Sequence, residues 1–202
     1  MKALILVDIQ NDFLPGGALA VPQGDEVIPV ANQLQAKFSL VAATQDWHPP
    51  NHGSFAANHP GKKVFEQTEL GGLRQTLWPV HCVQDTPGAD LAAGLNRERI
   101  ARIFQKGTDP AIDSYSGFFD NGHRRATGLD EWLKSKGVID VYICGLATDY
   151  CVKFTALDAV SLGFKTHLFE DASRGVNLRP TDVQAAISEM QRAGVDILRS
   201  GS

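Results

Sequence analysis

Five short, nearly unbroken apolar runs recur along this chain: "KALILVD" (Lys2 to Asp8), "FSLVAAT" (Phe38 to Thr44), "RIFQKG" (Arg102 to Gly107), "DVYICG" (Asp140 to Gly145) and "KTHLFED" (Lys165 to Asp171). Their length and β-branched content favour strands buried on both faces. Between them lie segments with helical spacing: "GDEVIPVANQLQAKF", "TGLDEWLKSKG", "TDYCVKFTALDAVSLG" and "RPTDVQAAISEMQRAG". Thr127 and Asp149 supply start signals, and Gly137, Gly163 and Gly194 supply stops. Strands alternating with helices imply an α/β fold, a doubly wound, mostly parallel sheet with helices on both faces. A length of 202 residues fits a single domain, so residues 1–202 are expected to form one.

Residues 45–95 break the rhythm. The stretch is rich in Pro, Gly, His and Asn, its one expected helix is a short piece near Ala89 to Gly94, and it holds four of the six histidines. So long an irregular segment in a compact domain marks a functional loop. A net charge of -4, with no basic run longer than Lys62-Lys63 or Arg124-Arg125, argues against nucleic acid and anionic membrane and for a small-molecule partner. The N-terminal apolar run stops at Asp8, too early for a secretion signal or a membrane span, and three cysteines make an odd set that suits free thiols. A cytoplasmic setting is expected.

In an open parallel sheet, ligands bind beyond the carboxyl ends of the strands. Asp8 closes the first run, Asp46 and His48 follow the second, Lys106 closes the third, and the turn Ala147 to Cys151 follows the fourth. In extended Asp46-Trp47-His48, alternate side chains reach a common point, which is a ligand spacing. His52, His59 and His81 each offer a third donor, and such a set suits Zn, Fe(II) or Mn with positions left open for water or substrate. Cys144 lies inside a run and is read as core. Cys151 falls in the first turn of the next helix, where unpaired N–H groups and the helix dipole favour a thiolate. Asp8 as proton acceptor and Lys106 as cation would complete a nucleophilic site, with the Ala147 and Cys151 N–H groups as an oxyanion hole. Cys82, His123 and His167 are read as structural.

The motifs "ALILVDIQNDFLPGGAL", "ATQDWHPPNHGSFA", "LWPVHCVQDTPGA", "FQKGTDPAIDSYSGFFDN", "GLATDYCVKFTALDA" and "DASRGV" make the chain resemble, nearly end to end, the nicotinamidases of the isochorismatase-like hydrolase superfamily. The resemblance implies a six-stranded sheet and a triad of Asp8, Lys106 and Cys151. It implies one divalent metal, zinc first with iron or manganese as alternatives, on Asp46, His48 and His81, with the role of His52 open. It implies a cis peptide at Leu146-Ala147 and a substrate ring walled by Phe13, Trp78 and Tyr115. The implied reaction is hydrolysis of nicotinamide to nicotinate and ammonia in NAD salvage, with pyrazinamide or another small amide as alternative substrate and a homo-oligomer as the family tendency. Two rival classes differ in what they need: a non-haem Fe(II) oxygenase has no use for Cys151, and a silent metal-binding protein has no use for the triad.

Overall fold

The five apolar runs become five neighbouring strands of one six-stranded parallel sheet, ordered β5-β2-β1-β6-β7-β8. These are β1 (Lys2–Val7), β2 (Val41–Asp46), β5 (Arg102–Lys106), β6 (Asp140–Leu146), β7 (Lys165–Arg174) and a short sixth strand, β8 (Asp196–Leu198). The structure, a computed structural model, describes residues 1–201. A separate antiparallel hairpin, β3 (Gln67–Leu70) and β4 (Leu73–Thr76), stands within the 45–95 region.

Strand alternation divides the core in two. Leu4 and Leu6 of β1 point to one face with Val41, Ala43, Cys144 and Leu146, where helix α1 (Val27–Gln35) lays down Val27, Ala31 and Leu34. Ala3, Ile5 and Val7 point to the other, with Ile143 and Leu168, against helices α2 (Leu129–Ser135), α3 (Lys153–Ser161) and α4 (Asp182–Ala193). Both faces being covered explains why the central strands read as continuous apolar runs. Truncating Leu6, 1% exposed, to alanine would cost about 2–5 kcal/mol.

Several expectations need correction. β2 begins three residues later than its apolar run and extends through Asp46, so this carboxylate is held by the strand itself. The segment Ala89 to Gly94 is not a helix; it is a series of turns in which Leu91 pairs with Gln10 as an isolated antiparallel bridge. Thr127 does accept the Leu129 N–H at 3.2 Å at the start of α2. Asp149 caps no helix: its carboxylate accepts the N–H groups of Val176 and Asn177, 2.9 and 2.8 Å away. Before α3 the chain makes a π-helical turn over Thr148–Val152. No helix among the described residues is long and apolar enough to cross a membrane.

Candidate active site

The sheet order reverses beside β1, and there the carboxyl ends of β2, β5, β1 and β6 open onto one cleft. Asp8, immediately after β1, takes a left-handed backbone (φ 47) that ends the strand. Across from it, a Cβ on Gly145 would lie 2.1 Å from the Val7 carbonyl oxygen, so glycine alone lets β6 approach β1 this closely.

Lys106 is the hub. Its Nζ lies 2.9 Å from Asp8 Oδ2 and 2.5 Å from Asp46 Oδ1, and donates to the Ser114 carbonyl at 2.8 Å and to Cys151 Sγ at 3.5 Å. Burial alone would depress the ammonium, but Asp46 and then Asp8 hold it well above the usual lysine range. Asp8 is fully buried, and burial raises its carboxyl despite Lys106 and despite the Thr44 hydroxyl, which donates to Oδ1 at 2.6 Å. Asp46 goes the other way: burial is outweighed by Lys106 and His48, which hold it far below the usual carboxylate range.

The Cys151 thiol corrects the sequence expectation. Burial pushes it well above the ordinary cysteine range, with Asp8 and Asp46 adding to the effect and Lys106 opposing it. Desolvation thus opposes the pull toward thiolate that the start of a helix and the Lys106 ammonium exert. Burial likewise raises Cys144 to about 12 and pushes Cys82 well up, in keeping with structural roles for both. All three cysteines are free.

Beside the triad, donor atoms of buried Asp46, His48 and His81 lie within 4.8 Å of one another. His48 turns Nδ1 to the Gly107 carbonyl and His81 turns Nδ1 to the Pro79 carbonyl, both at 2.8 Å. Their Nε2 atoms face Asp46 Oδ2 at 3.6 and 3.9 Å. Backbone carbonyls on the far nitrogen fix the tautomer that a metal needs, so the set fits a divalent ion. Burial and then His48 lower His81 to about 4, leaving it neutral. His52 lies beside His48, tilted at 42° with ring centroids 4.3 Å apart; its Nδ1 meets Ser54 Oγ at 2.7 Å, while its buried Nε2 lacks a hydrogen-bond partner. His48, His52 and Asp113 also form a trio within the same reach. His59 is tied to the Gly53 carbonyl, His123 faces Asp158 and His167 stacks on Tyr142, all away from the cleft.

A cleft joins both halves, lined by Asp46, His48, His81, Ala147 and Cys151 and by the apolar faces of Phe13, Leu19, Trp78, Tyr115, Tyr150 and Val176. Its apolar, largely aromatic walls suit a small flat ligand. The Leu146-Ala147 peptide is cis, which seats Ala147 next to Cys151 at the cleft. Sequence reasoning missed Asp113 and Tyr150, which line the cleft, and Thr44, which holds Asp8. The strand-end rule extended along the loop after β5 reaches Asp113; nothing local to Thr44 marks it.

The model of the isochorismatase domain matches residues 2–202. The nicotinamidase of Escherichia coli (strain K12) is 52% identical over 200 residues, which cover 97% of this chain and 93% of that protein. A solved Acinetobacter baumanii nicotinamidase/pyrazinamidase superposes with a TM-score of 0.96 at 49% identity, covering 99% of this chain and 96% of that one. The pyrazinamidase of Pyrococcus horikoshii, solved in complex with zinc, gives a TM-score of 0.79 at 42% identity, with 98% of each chain covered. With its fold and nearly all of its length matched, the chain belongs to the isochorismatase family, alongside the nicotinamidases.

Proposed function

We propose that this chain is a single catalytic domain that hydrolyses nicotinamide to nicotinate and ammonia in NAD salvage, through a thioester on Cys151, and that pyrazinamide fits the same cleft. The observation that carries the reading is the buried Lys106 ammonium, within 2.9 Å of Asp8 and 3.5 Å of Cys151, the cysteine lining a cleft walled by flat aromatic rings. The similarity to nicotinamidases supports the choice of substrate.

A divalent ion, with zinc favoured, on Asp46, His48 and His81 would supply a Lewis acid for the pyridine nitrogen and so orient the ring. Phe13, Trp78 and Tyr115 confine the ring and aim the carboxamide carbon at Cys151. Asp8, made more basic than a surface carboxylate by burial, takes the thiol proton as sulfur attacks the carbon. The N–H groups of Ala147 and Cys151 donate to the developing oxyanion, and Lys106 offsets charge on Asp8 and sulfur. Asp8 returns the proton to nitrogen as ammonia leaves. A water then gives a proton to Asp8 and attacks the thioester; the C–S bond breaks, the proton on Asp8 goes back to sulfur, and the acid product loses its proton to solvent and departs as nicotinate. Because burial disfavours the free thiolate, attack and proton transfer are coupled.

The proposal takes a small molecule as its partner and a cytoplasmic setting for its free thiols. Ammonia release from nicotinamide by purified protein, before and after chelation, tests it. Release lost on chelation and restored by zinc is expected; no ammonia from fully metallated protein overturns it. Trapping of a nicotinoyl adduct on Cys151 by mass spectrometry tests the nucleophile, and an adduct on Cys82 would reassign it.

A further inference from the structure

Gln75 is the one fully buried residue of the β3–β4 hairpin, 2% exposed in a ribbon whose other side chains reach solvent. An amide is an expensive group to bury unless its donors are used. Here they are: Nε2 lies 2.8 Å from the Thr76 carbonyl oxygen, 2.8 Å from Asp113 Oδ2 and 3.0 Å from the Tyr115 hydroxyl oxygen. That hydroxyl oxygen also accepts the Trp78 indole N–H at 3.1 Å. The two protons of that amide are shared among three acceptors, and the phenol oxygen lies within reach of two donors, the Gln75 amide and the Trp78 indole. Tyr115, Trp78 and Asp113 line the cleft; Gln75 does not. The Trp78 ring stands at 88° to Tyr115 and at 86° to Tyr150, so turning one ring moves the others.

We propose that Gln75 is a positioning residue that locks the Tyr115–Trp78 pair into the wall of the substrate cleft, so that the hairpin sets affinity for the aromatic ring while taking no part in bond making. The inference rests on the reading of the cleft as a nicotinamide site. It makes Gln75 responsible for KM and leaves kcat to the triad.

The test is Gln75→Leu, with Gln75→Met as the variant of matched length should the leucine protein not fold. Loss of one hydrogen bond predicts a rise in KM for nicotinamide of about tenfold, with kcat within about threefold of wild type and metal content unchanged. Tyr115→Phe, which keeps the ring and removes the oxygen, should raise KM comparably, and the double variant should be no worse than the worse single one. Multiplying effects, or a fall in kcat with KM unmoved, overturns the proposal. Loss of metal from Gln75→Leu also overturns it, because the residue would then act through Asp113 on the histidines. A second readout needs no substrate: in protein carrying Trp47→Phe and Trp132→Phe, emission from Trp78 should change on Gln75→Leu, and an unchanged spectrum refutes the locking. Wild-type protein that leaves nicotinamide intact would sink the assigned reaction, while the Trp78 emission still decides the role of Gln75.

Discussion

Thr44→Val isolates the base of the proposed reaction with almost no change in shape. Thr44 is fully buried in β2, where its hydroxyl donates to Asp8 Oδ1 at 2.6 Å and accepts the Asp8 backbone N–H at 3.3 Å. Valine keeps the volume and the β-branched rotamer that the strand prefers, and deletes only that donor and acceptor. Burial already raises the Asp8 carboxyl, with Lys106 and the Thr44 hydroxyl pulling the other way. A hydrogen bond to a charged group is worth about 1.5–3 kcal/mol, so deleting this one favours the carboxylic acid over the carboxylate by roughly ten- to a hundredfold.

The direction follows from the role. Asp8 must be a carboxylate to take the thiol proton, and a group whose acid form is favoured loses its carboxylate earlier as pH falls. The acid limb of kcat/KM should therefore move to higher pH in Thr44→Val, with an order of magnitude or more lost at mildly acidic pH and near-complete recovery on the alkaline side. Ammonia release from nicotinamide, measured across the pH range with metal in excess, reads this directly. A limb that stays in place or moves to lower pH would refute Asp8 as the base. A uniform loss at every pH would instead point to disturbed packing of β2 on β1.

Gly107→Ala should weaken metal binding by about 10–100-fold in a competitive chelator titration, because the new Cβ would fall 2.3 Å from His48 Cε1 at a residue whose φ is +64. Unaltered affinity would argue that His48 does not need its Gly107 anchor. Asp149→Ala should raise KM and speed hydrogen exchange at the Val176 and Asn177 amides, since its carboxylate holds both and Val176 lines the cleft; unchanged exchange would remove the clamp from the account. Lys106→Arg should abolish turnover as completely as loss of the charge would. Its planar fork cannot serve partners arranged around a compact ammonium in a fully buried space, and substantial ammonia release from this variant would show that charge alone suffices.

The sheet was legible because its central strands are covered on both faces and so read as apolar runs, while the hairpin was missed because "QTEL" and "LRQT" expose most of their side chains. A usable sign was present in Gly71-Gly72, whose φ values of 59 and 78 make the two-residue turn that such a glycine pair favours. Asp8, Asp46, Lys106 and Cys151 were legible as a group because each ends a parallel strand or follows one, and topology brings those ends together. The state of the Cys151 thiol was not legible. Position along a helix is written in the sequence, but desolvation depends on how completely Phe13, Trp78, Tyr115 and Tyr150 close around the cleft, and that is a property of the packed fold.

Burying two carboxylates and an ammonium is costly unless each charge is paired and hydrogen-bonded, and the geometry here meets that condition by sharing. One ammonium, with three protons, stands against Asp8, Asp46, the Ser114 carbonyl and the Cys151 sulfur, so the thiol at 3.5 Å holds the weakest claim. In the resting site burial, which disfavours the thiolate, works against that weak claim. When Asp8 takes the thiol proton, its own claim on Lys106 falls as that of the new thiolate rises, and the same ammonium can turn toward sulfur without any backbone movement. In the proposed reaction Lys106 thus stabilises the attacking form only at the moment it is made, which is where catalysis gains and mere binding does not.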